Sequence, residues 1–389
     1  MKLKGKRIQN LRQSDFVIIA MVTILVIFGV VMVFSASYYK SINTSGSPYD
    51  YLIRQGIFAV TGFVLMALCS RIDYHIYRRL SILILLVSFV LLILLFTPLG
   101  AEENGATRAI YVGFTIMPGE IAKPAVIIFT AAFLAGDPKR ILSFTRGVLP
   151  LLLLMVVFGG LIIKQPNLST AITVCGIIAG IMFLAGLQWR YILIAGGLGA
   201  AGVTALILVG DKIGASHWKE RIVSFMDPFA DAMDEGFQVV QSLLALGSGG
   251  LFGVGLGKSI QKNLYLPEPQ NDFILAIIGE ELGFVGLLAL LTLFCVLLWR
   301  CFHVCLNAPD RFGMLLAGGI TIMIGLQLIL NVAVVTSSMP PTGVALPFIS
   351  YGGNALWIFM ACSGIILNIS RQSMVQTAVT KKEKGKQKI

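Results

Sequence analysis

Long apolar runs, nearly free of charge, fill most of the chain and leave it few ways to fold. Runs of about 17–25 apolar residues are long enough to cross the hydrocarbon core of a bilayer as helices. A membrane β-barrel would instead alternate polar and apolar residues in segments of about ten. The runs here are unbroken. Read in order, they predict an all-α polytopic membrane protein with ten spans, at 16–37, 54–70, 80–98, 118–135, 148–163, 168–187, 191–209, 273–299, 312–335 and 343–369. Only 13% of the residues are charged and 57% are hydrophobic. Soluble domains carry roughly a quarter charged residues, so lipid is the solvent for most of this chain. The first run follows a basic leader, as in a signal peptide. No A-x-A-type cleavage site follows it and further spans do, so it is expected to be retained.

Orientation follows from Lys and Arg, which stay on the cytoplasmic side. Tail 1–14 holds Lys2, Lys4, Lys6, Arg7 and Arg12, and tail 372–389 holds Lys381, Lys382, Lys384, Lys386 and Lys388. Alternate short loops add Arg71, Arg78, Arg79, Lys139, Arg140, Arg146, Arg190, Arg300 and Arg311. Both tails are therefore expected in the cytoplasm, around a membrane domain at 15–371. The net charge of +11 is a topology signal. Nucleic-acid binding would need a basic folded face, whereas these charges are scattered. The six cysteines fall in spans or near the cytoplasmic side, where no disulfide is expected.

Polar residues collect on the other face. The connection 210–271 is by far the longest, and long structureless loops are usually functional. It carries His217, Trp218 and Arg221, a stretch at 236–246 that reads as a short interfacial helix, and then glycines 247, 249, 250, 253, 255 and 257. The piece GVGLGKS invites a P-loop reading, but Phe252 stands where that motif needs glycine. A Gly-rich turn is expected instead. Two further islands, at 100–120 and 337–353, lie on the same face. The second contains PPTG and reads as a break before a helix, tolerated at membrane depth only inside protein or beside a cavity.

Asp272 lies at the junction of the long loop with the eighth span. A carboxylate at a lipid–water boundary is partly desolvated, which raises its pKa and suits it to act as a base. The plain alternative is an N-cap, since Asp at a helix start accepts backbone N–H bonds. Glu280 and Glu281 follow about 12–14 Å along the helix, and Glu281 points nearly opposite to Asp272. Both read as buried anchors. Arg108, Lys123, Lys258 and Lys262 are the cations available to a phosphate ligand. Glu120 and Lys123 are three apart on one helix, so a mutual pair is expected too. Gln327 and Asn331 share a helix face and read as interhelical hydrogen-bonders.

These pieces resemble the SEDS family, the FtsW, RodA and SpoVE group of bacterial membrane enzymes. The matching stretches are VVMVFSAS at 30–37, NGATR at 104–108, GEIAK at 119–123, QPNLSTA at 165–171 and GFQVVQSLLALGSGGLFGVGLGKS from Gly236. The match continues through YLPEPQNDF, IIGEELGF and PPTGVALPFISYGG, and the wording is nearest to FtsW or SpoVE. The resemblance implies a ten-span glycosyltransferase that polymerises lipid II, a disaccharide-pentapeptide on undecaprenyl pyrophosphate, in cell division. It implies Asp272 as the catalytic residue, and Glu120 and Gln241 join the four cations as substrate contacts. It also implies a class B penicillin-binding transpeptidase and other divisome membrane proteins as partners, with no nucleic acid. A divalent cation, Mg2+ or Mn2+, could assist the leaving group, but no ligand cluster is readable. The alternatives are a lipid II flippase or other transporter, a noncatalytic scaffold, or the same chemistry in sporulation or elongation.

Overall fold

The computed structural model describes residues 15–103, 106–111, 115–191, 193–194, 197, 236–263 and 265–386. Among these the chain is a helical bundle with one small sheet. The helices are α1 (Phe16–Ser45), α2 (Asp50–Arg71), α3 (His75–Arg79), α4 (Ser81–Leu94), α5 (Pro118–Gly136), α6 (Leu149–Ile163), α7 (Leu168–Leu184), α8 (Phe237–Gly249), α9 (Ile274–Leu306), α10 (Arg311–Val335) and α11 (Gly353–Lys386). Among the described residues, seven helical stretches are long and apolar enough to cross a bilayer: α1, α2, α5, α6 with the turn before it, α9, α10 and the first part of α11. Helices α4 and α7 are shorter and apolar. The expected span at 191–209 lies mostly outside the described residues, as do tail 1–14 and residues 210–235 with His217, Trp218 and Arg221. The other expected spans each overlap one of these helices.

The helix starts follow from their sequences. Asp15 caps α1, accepting from the N–H groups of Val17 (3.1 Å) and Ile18 (3.4 Å). Its second carboxylate oxygen takes the Arg300 Nε at 2.7 Å, tying α1 to the far end of α9. Asp310 caps α10 and Asn167 caps α7. Pro118 opens α5, where its missing N–H has no helical partner to lose. Without a hydrophobic drive between helices in lipid, close packing depends on small residues. Glycines supply this between α2 and α11: a Cβ on Gly62 would strike Met360 Sδ, and one on Gly364 would lie 2.4 Å from the Met66 carbonyl. Helix α10 runs through the middle, packed on α5, α7 and α9.

Three features add to or depart from the sequence expectation. The island at 100–120 forms a three-stranded antiparallel sheet of β1 (Gly100–Glu103), β2 (Ala106–Tyr111) and β3 (Thr115–Ile116). The last span was expected from 343, but residues 343–352 are irregular and α11 starts at Gly353. Within the expected tail, residues 372–386 continue α11 as helix.

The expected break near PPTG is present between α10 and α11, and a second one lies inside α9. Gly283 has φ 68° and ψ −169°, so the helical hydrogen-bond ladder is interrupted there. Unpaired backbone groups at membrane depth must find partners within the protein. The Gly-rich turn after α8 supplies them. Val254 and Gly255 donate to the carbonyls of Glu280 (2.9 Å) and Glu281 (3.0 Å), while Phe284 and Val285 donate to the carbonyls of Gly250 (2.9 Å) and Leu251 (3.1 Å). Backbones this close leave no room for side chains. A Cβ on Gly253, which has φ +78°, would lie 2.2 Å from the Glu281 carbonyl oxygen. Gly253→Ala is expected to cost at least about 1–2 kcal/mol from the left-handed backbone alone, plus about 1 kcal/mol for each hydrogen bond displaced. Gly247→Ala meets nothing within 4 Å inside α8. It should hold or raise the melting temperature in detergent where Gly253→Ala lowers it.

Candidate functional site

Asp272 stands two residues before α9 and faces a cavity of about 400 Å³. Four helices begin at this cavity. Met117, Gly119 and Glu120 bring the start of α5; Asn167 and Thr170 bring α7; Gly353, Asn354 and Ala355 bring α11; and Asn271 and Asp272 precede α9. Helix N-termini carry unsatisfied N–H groups and the positive end of the helix dipole. The same walls hold the Arg54 and Arg108 side chains. The cavity therefore combines an anion-attracting lining with two carboxylates, Asp272 and Glu120.

The segment carrying Asp272 is held against residues 343–351. Asn331 Nδ2 donates to the Asp272 carbonyl at 2.8 Å and to the Val344 carbonyl at 2.6 Å. Ser350 Oγ donates to the Asn271 carbonyl at 2.6 Å, and Tyr351 N donates to the Gln270 carbonyl at 2.9 Å. Glu268 Oε2 accepts from the side-chain amides of Gln270 and Asn271 and, through its other oxygen, pairs with Lys40. The carboxylate of Asp272 is not spent on capping: α9 has Phe273 at its N-cap position and no side-chain cap. Burial pushes the Asp272 carboxyl up to about 6, against the pull of the Arg108 guanidinium and with the added push of Glu268 and Glu120.

The other expected site residues divide. Arg108 lines the cavity and donates from Nη2 to the Pro166 carbonyl at 2.6 Å. Glu120 also lines it, with Oε1 taken by Lys123 Nζ at 2.6 Å. Lys123 is buried behind Glu120 and also donates to Gln327 Oε1 at 3.1 Å, so its charge is already matched inside the bundle. Lys262 lies outside the cavity lining, in a buried pair with Glu281 at 2.8 Å that Ser35 joins from α1. Lys258 is exposed on the Gly-rich turn, and Gln241 is half-buried on α8; neither lines the cavity. Glu280 is buried and accepts from Ser259 Oγ and the Ile260 N–H. Both glutamates are thus anchors, Glu281 to another helix and Glu280 to the loop.

Sequence reasoning missed Arg54, Asn354 and Trp357 as cavity residues. Arg54 stood at the start of an expected span, and nothing in the spacing links α2 to α11. Among the described residues no three His, Cys, Asp or Glu side chains converge as a metal-holding group.

Comparison with known proteins gives one family. The model of the FtsW/RodA/SpoVE family, described as cell cycle protein, matches residues 15–375. The chain is 40% identical over 361 residues to the stage V sporulation protein E of Bacillus subtilis (strain 168), covering 92% of this chain and 97% of that one. It is 38% identical over 358 residues to the "Probable peptidoglycan glycosyltransferase FtsW" of Geobacter sp. (strain M18), covering 92% and 96%. A chain solved in a peptidoglycan synthase complex that coordinates polymerization and crosslinking superposes with a TM-score of 0.77 at 26% identity, covering 92% and 98%. The rod shape determining protein RodA of Thermus thermophilus superposes with a TM-score of 0.66 at 28% identity, covering 92% and 97%.

Proposed function

The chain belongs to the FtsW/RodA/SpoVE family of cell cycle proteins, and on that footing we propose that it is a peptidoglycan glycosyltransferase that polymerises lipid II with Asp272 as general base. The observation that carries this reading is the cavity itself, where a desolvated carboxylate meets four helix starts and two guanidinium groups. Asp272 takes the proton of the acceptor hydroxyl as its oxygen attacks the anomeric carbon of the donor sugar. The bond from that carbon to the diphosphate breaks, and its electron pair leaves with undecaprenyl pyrophosphate. Arg108 and the helix N-termini receive that charge. The chain is a multi-pass membrane protein, with both termini in the cytoplasm and this site at the outer face in our reading. The arginines at the opposite end of the bundle, Arg71, Arg78, Arg300 and Arg311, support that orientation. A class B penicillin-binding transpeptidase at the division septum is the partner we propose.

Purified protein given lipid II in detergent tests the activity, because transport needs a sealed bilayer and polymerisation does not. Glycan polymer supports the reading. Conversion of none of the lipid II by folded protein, with its transpeptidase also supplied, contradicts it. Two further outcomes follow. A base must be deprotonated, so kcat/KM should rise with pH through about 6, the value to which burial pushes Asp272. A profile flat from pH 5 to 8 would remove Asp272 from that role. Arg108→Ala should lower kcat/KM by roughly tenfold to a hundredfold, the range of one charged hydrogen bond, with membrane insertion unchanged. Arg108→Lys should recover part of it, since the charge remains and the two-pronged geometry does not. Full turnover by Arg108→Ala at limiting substrate would take Arg108 out of the site.

A further inference from the structure

The carbonyls of Gln270, Asn271 and Asp272 are consecutive, and each is taken by a different donor from one frame: Tyr351 N, Ser350 Oγ and Asn331 Nδ2. We propose that Asn331 is the positioning residue of this frame: its buried amide pins the backbone of Asp272 to that of Val344 and so fixes where the Asp272 carboxylate points. This inference rests on the role proposed above for Asp272.

An amide nitrogen has two hydrogens. Asn331 spends one on the Asp272 carbonyl at 2.8 Å and the other on the Val344 carbonyl at 2.6 Å, at 0% exposure. Among neutral side chains such a pair of donations from one atom is open only to the carboxamides, and glutamine is one methylene longer. The coupling reaches the carboxylate directly. Gly343, the neighbour of Val344, has φ +63°, and a Cβ there would lie 2.9 Å from Asp272 Oδ2. The segment that Asn331 holds by its backbone is therefore the same surface on which the carboxylate rests. Ser350 repeats the arrangement one residue earlier, since its hydroxyl also accepts from the Leu346 N–H at 2.8 Å. Ser169 Oγ, from α7, donates to the Gly343 carbonyl at 3.1 Å and keeps that wall in place. Near-attack geometry demands this kind of control, because a displacement of about 1 Å can cost a hundredfold in rate.

A purely structural asparagine would affect stability and leave the chemistry of folded protein unchanged, so the test reads chemistry. Asn331→Leu keeps the approximate size and removes both donations. In folded protein, kcat for lipid II polymerisation should fall about tenfold to a hundredfold, with KM little changed because the cavity walls that bind substrate remain. The acid limb of the pH profile should also move down, as the loosened carboxyl gains water. Arg108, Glu268 and Glu120, the charged groups that act on Asp272, are untouched by the substitution. Leaving two buried carbonyls unpaired could prevent folding, and then Ser350→Ala, which loosens the adjacent carbonyl, decides with the same readouts. Parent-like kcat and acid limb in whichever variant folds overturn the inference, as does a loss confined to KM. Asp272→Asn run in parallel separates the two claims. Activity there removes the proposed role of Asp272, whereas an inactive Asp272→Asn beside a parent-like Asn331→Leu removes only the role of Asn331.

Discussion

Lys262→Leu should destabilise the protein by about 3–5 kcal/mol, the usual result of removing one partner from a buried ion pair. The Lys262 ammonium and the Glu281 carboxylate are 3% and 0% exposed and 2.8 Å apart. Without Lys262, Glu281 keeps only the Ser35 hydroxyl, at 2.7 Å and 2.8 Å from its two oxygens. A full charge held so poorly inside a bundle in lipid is costly. The expected readout is a lower melting temperature in detergent and a lower yield from the membrane. Lys262→Leu with Glu281→Leu should recover most of the loss, because an apolar pair of similar volume removes both charges together. The pair also decides what Lys262 is for. As an anchor, it can be replaced in the double variant with activity retained. As a phosphate ligand, it cannot. A folded but inactive double variant would return Lys262 to the substrate, and a single variant as stable as the parent would show that the pair holds nothing.

Lys262 also shows where the sequence stops being informative. Its type and neighbourhood match those of Arg108, since both are cations in polar islands beside apolar runs. What separates them is a partner 19 residues away on a helix that turns back over the loop, and no periodicity reports that. Lys123 was legible in part: its spacing from Glu120 predicts the pair that forms at 2.6 Å, while its second contact, Gln327, comes from a distant helix. The helices themselves were readable because a bilayer imposes one length and one polarity on them. Their ends were less so. Gly283 looks like any glycine in an apolar run, and the break there is set by the backbone groups that the Gly-rich turn brings to it. The sheet at 100–116 was missed because β1 and β3 are only four and two residues long and the six residues of β2, ATRAIY, do not alternate apolar with polar. Asp272 was found by its place at the junction of the long loop with the eighth span. Whether it capped the helix was open in the sequence and is answered by the uncapped start of α9. Arg54 and Trp357 belong to the cavity only through the packing of α2 on α11, a contact between segments about three hundred residues apart.

The measurement that bears most directly on the account is lipid II polymerisation by Asp272→Asn beside the parent protein, both purified and matched for folding. Asparagine keeps the size of aspartate and can still accept a hydrogen bond, but it cannot take a proton. Because α9 starts without a side-chain cap, the substitution has no cap to disturb, and the melting temperature should stay near that of the parent. Removal of a general base lowers rates by about 10²–10⁴-fold, so the account predicts a stable, membrane-inserted protein that makes little or no glycan polymer. Polymer synthesis by Asp272→Asn at or near the parental rate would contradict it, and would remove Asp272 from the role of base.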